Sequence, residues 1–256
     1  MARDYRRSDY DDYLKDDNLH INWYPGHMKK TKELVQNNLK LVDVVIELLD
    51  ARIPYSSKNP QIDSIVGNKP RVVVLNKSDL ANPANLSKWV NYYAKKGIKA
   101  IPVSTTKGNG VNKIIDECKN VTKEMMDNLK AKGRTERAIR VMIVGVPNVG
   151  KSTLINKLTG RKSTQTGDKP GVTKSKQWVR LKGNLELLDT PGILWPKFED
   201  QEVALNLAFS RAIKDEILDI DTLGLKFIEK LMEIEPEKLM ARYKLTELGE
   251  TPLETM

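Results

Sequence analysis

A single cysteine, Cys118, excludes an internal disulfide and fits a reducing compartment. It falls in an apparent helix, where a buried structural thiol is expected. No run of eighteen apolar residues occurs, so no transmembrane helix is expected. No apolar stretch follows the charges of Met1-Ala2-Arg3-Asp4-Tyr5-Arg6-Arg7, which argues against a secretory signal and for a cytoplasmic location. Aromatic residues make up only 6% of the chain, too few for a surface that binds single strands by stacking bases. Internal repeats and low-complexity segments are absent as well.

What is present is charge. Of 256 residues, 30% are charged and 39% hydrophobic, the balance of one α/β domain with a smaller appendage. Lysine and arginine number 43 against 34 acids, a net charge of +9. That excess favours a polyanionic partner such as RNA or a ribonucleoprotein over solubility alone. A monomer is the default expectation.

Residues 1–18 are charged, tyrosine-rich and aperiodic, and read as a flexible N-terminal tail. Apolar runs predict strands over Val42–Leu49, Arg71–Leu75, Lys99–Val103 and Ile139–Val144. Helical patterns lie between them, at Lys29–Lys40, Asn85–Lys96 and Val111–Lys130, with another from about Lys151. Such alternation implies parallel pairing. Lys176–Leu181 and Leu185–Leu188 flank Lys182-Gly183-Asn184 and read as a hairpin, which makes six strands. Beyond Gly192 no strand is expected, and 200–256 carries Leu, Ile and Met at helical spacing.

Three motifs stand at predicted strand ends. Gly145-Val146-Pro147-Asn148-Val149-Gly150-Lys151-Ser152 follows the fourth strand and opens a helix, the context of a phosphate-binding loop. Its glycines let backbone N–H groups, through Val149, Gly150 and Thr153, turn toward phosphates at a helix start. Lys151 would reach the outer phosphates, and the Ser152 hydroxyl is the expected Mg²⁺ ligand. Asn76-Lys77-Ser78-Asp79 follows the second strand. Asp79 offers two acceptors to adjacent N–H donors on guanine, and adenine would leave one of them unpaired. Asn76 can bond the other edge of the base and neighbouring backbone, and Lys77 can lay its stem over the ring. Ser104 and Thr105 would add a backbone contact to the base. In Asp189-Thr190-Pro191-Gly192, Asp189 would hold Mg²⁺ through water and the Gly192 N–H would sense the γ-phosphate. Thr173 fits the switch threonine that completes Mg²⁺ coordination.

The linear order is unusual. In ordinary GTPases the phosphate loop leads and the guanine motif trails. Here the guanine motif comes first, as a circular permutation would place it. Ile193 occupies the position where many GTPases carry a water-orienting glutamine. Asn148 is open to two readings, a loop-stabilising residue or a ligand for a monovalent cation. So is His27, in Trp23-Tyr24-Pro25-Gly26-His27-Met28, as a structural turn residue or as a titratable group near water or phosphate.

These residues in this order resemble the circularly permuted GTPases, and within them the ribosome biogenesis GTPase A family. The matching tracts are Trp23–Met28, Asp50-Ala51-Arg52-Ile53-Pro54, Asn76–Asp79, the phosphate loop, Pro170-Gly171-Val172-Thr173 and Asp189–Phe198. The resemblance implies a cytoplasmic GTPase that binds a precursor of the large ribosomal subunit and its rRNA. It implies that the particle stimulates hydrolysis, which then releases the factor. It also implies water positioning by His27 in place of glutamine, and K⁺ stimulation through Asn148. Family members continue past Leu253-Glu254-Thr255-Met256 with more basic helical sequence, so two readings stay open: a C-terminal domain cut short, or a reduced member of the family.

The expectation is thus an α/β P-loop GTPase fold. It has a mostly parallel six-stranded sheet, circularly permuted, with a small C-terminal all-α domain. The domains would be a tail over 1–18, the GTPase domain over 19–199 and helices over 200–256. Catalysis would rest on His27, Lys151, Thr173 and Gly192, with Mg²⁺ and K⁺ as ions and GTP or GDP as substrate or product. Two alternatives are a GTP-dependent RNA-binding scaffold with little catalysis and a P-loop phosphotransferase for a small metabolite.

Overall fold

The computed structural model of the chain describes residues 36–135, 137–160, 178–188, 200–213 and 220–255. The chain divides into two compact units, one of them Tyr24–Lys197 and the other containing Phe198–Met256.

The first unit is built on six strands: β1 (Val44–Asp50), β2 (Arg71–Asn76), β3 (Lys99–Val103), β4 (Ile139–Val144), β5 (Trp178–Leu181) and β6 (Leu185–Leu188). Their order across the sheet is β3-β2-β1-β4-β6-β5. All ladders are parallel except the β5–β6 hairpin. β1 reads Val-Val-Ile-Glu-Leu-Leu-Asp, and all seven residues are buried. A β-branched run of this kind suits a central strand covered on both faces. The register aligns Asp50 with Asn76 and Asn76 with Val103, so the carboxyl ends of β1, β2 and β3 finish together. Glu47 aligns with Val144, which places the start of the phosphate loop beside them. Ligand sites of open α/β sheets form at this edge.

Among the described residues, the helices packed on the sheet include α1 (Ile62–Val66), α2 (Pro83–Lys95), α3 (Val111–Ala131) and α4 (Lys151–Thr159). Val45, Ile62, Val66, Met142 and Val144 form one buried cluster. Leu49, Val73, Leu75, Tyr93 and Ala100 form another, with Trp89 and Leu86 of α2 against it. Cys118 of α3 is buried, and burial pushes its thiol up to about 12, as a structural cysteine requires.

In the second unit the regular elements among the described residues are helices: α5 (Gln201–Phe209), α6 (Ile220–Ile234), α7 (Pro236–Tyr243) and α8 (Pro252–Thr255). Asp200 caps α5 by accepting from the N–H groups of Glu202 and Val203. Phe209 packs on Phe227 with ring centres 5.0 Å apart. Among the described residues no helix is long and apolar enough to cross a membrane.

Some boundaries shift by a residue or two, and two starts and one missed helix have local reasons. β1 starts at Val44 because the preceding Asp43 is turned to a bidentate pair with Arg137, at 2.6 and 2.9 Å. α2 starts at Pro83, not Asn85, because Asn82 accepts from the N–H groups of Ala84 and Asn85 while proline's fixed φ suits the first helical position. The short α1 has too few turns to show a helical period. For the helix expected over Lys29–Lys40, residues before 36 lie outside the described residues.

Candidate nucleotide-binding site

The phosphate loop leaves β4 at Gly145 and enters α4 at Lys151. Close packing shapes it. A Cβ at Gly145 would stand 2.5 Å from the Leu48 carbonyl oxygen, and one at Gly150 would stand 2.4 Å from Asn76 Nδ2. Gly150 also has φ +105°, which L side chains rarely adopt. Asn148 takes a left-handed φ of 55°, a conformation asparagine tolerates better than most residues. Val146 and Val149 turn into the core.

Gly150 precedes α4 and has no side chain with which to cap the first N–H groups of the helix. Lys151 Nζ donates to the carbonyls of Gly145 at 3.0 Å and Val146 at 2.7 Å. Burial lowers its pKa to about 8, and it has no ion-pair partner among the described residues. A buried ammonium beside a helix N-terminus is a cradle suited to an anion. The polyphosphate of a nucleotide fits that cradle. For Mg²⁺, which takes oxygen ligands, Ser152 at the start of α4 supplies a hydroxyl. Thr173 and Asp189, expected to complete the set, lie outside the described residues, as do His27 and Gly192. Thr153 follows in the first turn of α4.

The guanine motif leaves β2 beside this loop. Asn76 is buried and holds two segments at once. Its Nδ2 donates to the Val149 carbonyl at 2.7 Å, and its Oδ1 accepts from the Thr105 N–H at 3.2 Å. The asparagine therefore joins the phosphate loop to the turn after β3. Thr105's N–H is committed to Asn76, and the Ser104 N–H is committed to the Asn109 carbonyl. Lys77 adopts a left-handed φ of 59°, which costs a non-glycine residue about 1–2 kcal/mol. Two contacts of its ammonium hold it there: the Asn148 carbonyl at 3.1 Å and Asp50 Oδ2 at 3.0 Å. Asp79 stands in the 3₁₀ turn Ser78–Leu80. The Ser104 hydroxyl keeps its carboxyl below the usual range, and Lys107, 3.3 Å away, assists. It is thus ionised, an acceptor ready for paired N–H donors.

The structure brings together Asn76, Lys77, Asp79, Ser104, Thr105, Asn148, Val149, Gly150, Lys151, Ser152 and Thr153, from segments that lie far apart in sequence. Two further residues join the site, which the sequence marks only as part of a motif tract: Asp50, which contacts Lys77, and Arg52, which clamps Asp50. The signal available in the sequence is a charged pair, Asp50 and Arg52, closing a strand run.

Residues 140–246 match the family model described as a 50S ribosome-binding GTPase. The ribosome biogenesis GTPase A of Bacillus cereus is 52% identical over 237 residues, covering 91% of this chain and 79% of that relative. The chain belongs to the ribosome biogenesis GTPase A family. The Bacillus pumilus member of this family is 49% identical, covering 91% of the chain and 83% of its own length. A crystal structure of GNP-bound YlqF from T. maritima matches with a TM-score of 0.58 at 28% identity, covering 87% of both chains. The GDP-bound form of that protein matches at 0.56. Membership in the ribosome biogenesis GTPase A family makes the chain a GTPase with the P-loop GTPase fold. Neither the scaffold nor the metabolite-kinase alternative is favoured by these relatives.

Proposed function

We propose that the chain binds Mg²⁺·GTP between the Asn76–Asp79 and Gly145–Ser152 segments, hydrolyses it, and acts as an assembly factor on the large ribosomal subunit. The observation that carries the reading is the pair of hydrogen bonds by which Asn76 joins the phosphate loop, 73 residues away, to the turn after β3, 29 residues away.

In this reading Asp79 accepts from guanine's paired N–H donors, and the first N–H groups of α4 meet the phosphates. Lys151 exchanges its carbonyl partners for phosphate oxygens, and that negative charge offsets the burial that lowers its pKa. Ser152, Thr173 and Asp189, the last through water, would hold Mg²⁺, which when bound neutralises charge developing on the phosphates. Gly192 senses the γ-phosphate. His27 orients the attacking water because Ile193 cannot. Asn148 contributes to a K⁺ site. Loss of the γ-phosphate releases Thr173 and Gly192, and the change passes through 193–200 to the C-terminal helices, ending the ribosome-bound state. Intrinsic turnover is slow, since neither a glutamine nor an in-chain arginine finger is evident. The factor works as a cytoplasmic monomer, and its net charge of +9 suits an rRNA surface.

The test is GTP hydrolysis in K⁺ or Na⁺, with and without Mg²⁺ and purified large ribosomal subunits, alongside competition of ATP for the site. Stimulation by the particle is expected. Equal binding of ATP and GTP would refute the base assignment. Turnover indifferent to ribosomal particles would refute the assembly role.

A further inference from the structure

The Asp50-Ala51-Arg52 tract takes no part in the nucleotide chemistry proposed for this site. Asp50 is the last residue of β1, in register with Asn76, and its side chain is 3% exposed. Each carboxylate oxygen has two partners. Oδ1 accepts from the Arg52 backbone N–H at 3.0 Å and from Arg52 Nε at 2.9 Å. Oδ2 accepts from Arg52 Nη2 at 2.7 Å and faces Lys77 Nζ at 3.0 Å. Burial alone would raise the carboxyl's pKa, but Arg52 and then Lys77 outweigh it and hold the group ionised.

The arginine fork is planar and bidentate, so it fixes the plane of the carboxylate as well as its charge. That plane aims Oδ2 at Lys77. The same lysine ammonium donates to the Asn148 carbonyl in the phosphate loop. A continuous chain of contacts therefore runs from Arg52 through Asp50 and Lys77 to Asn148. Without Asp50, Lys77 would keep one carbonyl partner and its long side chain would be free to turn into solvent. We propose that Asp50 is a positioning residue for guanine-nucleotide recognition, tying the base-recognition loop to the phosphate loop through Lys77. The inference rests on the site binding guanine nucleotide. It gives the Asp-Ala-Arg tract a task distinct from ending the strand.

Fluorescent GDP titrations of the full chain test this with Asp50→Asn, Lys77→Met and the double variant. Asp50→Asn should weaken GDP about tenfold, mainly through faster release, and raise KM for GTP with kcat retained. In the Lys77→Met background the same substitution should change affinity less than about twofold, because its route is already gone. An Asp50→Asn penalty equally large in both backgrounds would overturn the proposal, as would unaltered affinity in the single variant. If Asp50→Asn does not fold, Arg52→Gln takes its place. It keeps the carboxylate but removes its clamp, and should weaken GDP by about threefold only when Lys77 is present. A loss that ignores Lys77 would again refute the route. Failure of the unaltered chain to bind GDP would instead sink the function it rests on.

Discussion

Glu47→Gln should stabilise the protein far more at pH 8 than at pH 5. Glu47 sits in the middle of β1 with 2% of its side chain exposed, in a narrow cleft shared with Ser57, Asn59 and Gly145. Neither carboxyl oxygen accepts a hydrogen bond among the described residues. Arg71 Nη1 comes within 3.3 Å, but it is drawn to Asp63 at 2.7 Å. Burial therefore dominates and raises Glu47 from 4.5 to about 7. A carboxyl with a raised folded pKa binds its proton more tightly in the native state. Its favourable contribution is complete below about 4.5 and is lost as pH climbs through about 7. At 1.36 kcal/mol per pH unit the full loss is about 3 kcal/mol. About a quarter of it has already gone by pH 5, so about 2–3 kcal/mol falls between pH 5 and pH 8. Glutamine has no such titration. Every other ionisable group is common to both proteins, so the difference between their pH profiles isolates Glu47. Thermal unfolding should show a variant-minus-parent gap in Tm that widens by about 5–10 °C from pH 5 to pH 8. A gap of equal size at both pH values would refute a buried charge as the cause.

Three further outcomes follow from the site and its frame. Gly150→Ala should lower GTP affinity at least about tenfold by titration, since its Cβ would press on Asn76 at a φ of +105°; unchanged affinity would contradict the loop geometry. Lys151→Met should raise Tm at pH 7 without nucleotide, because the folded pKa is depressed to about 8 and the charged form is the disfavoured one there. That variant should also lose the Tm rise that GTP confers, and a retained rise would speak against a phosphate contact. Asn82→Ala removes the cap of α2 and should cost about 1 kcal/mol in denaturant unfolding, with no effect on GTP hydrolysis; reduced hydrolysis would show that α2 does more than pack.

The sheet was legible because β1, β2 and β4 are apolar runs bounded by motif residues, and a central parallel strand requires such a run. The two loops were legible because a phosphate cradle and a guanine acceptor pair restrict residue type at close spacing. Other features depend on register, which periodicity does not carry. Asp50 meets Lys77 only because the ends of β1 and β2 align. Glu47 lay unnoticed within a hydrophobic run, since nothing local shows that the cleft above it withholds hydrogen-bond partners. Asn76 was expected to touch the base and neighbouring backbone; that its backbone partners are Val149 and Thr105 is a property of the folded sheet edge.

The strand order also bears on how the chain is made. β1, β2 and β3 come from the first half of the sequence and β4, β5 and β6 from the second, and the halves adjoin along a single ladder of four residue pairs between β1 and β4. As the polypeptide leaves the ribosome that synthesises it, β1 is complete at Asp50, but its inner neighbour begins only at Ile139. At roughly 5–20 residues per second, one side of a mostly apolar ribbon waits about 4–18 s for its partner. An unpaired edge of that composition is prone to mispair with other chains. The permuted order therefore leaves the newborn protein with a seconds-long vulnerability, at the same seam on which its mature site is assembled.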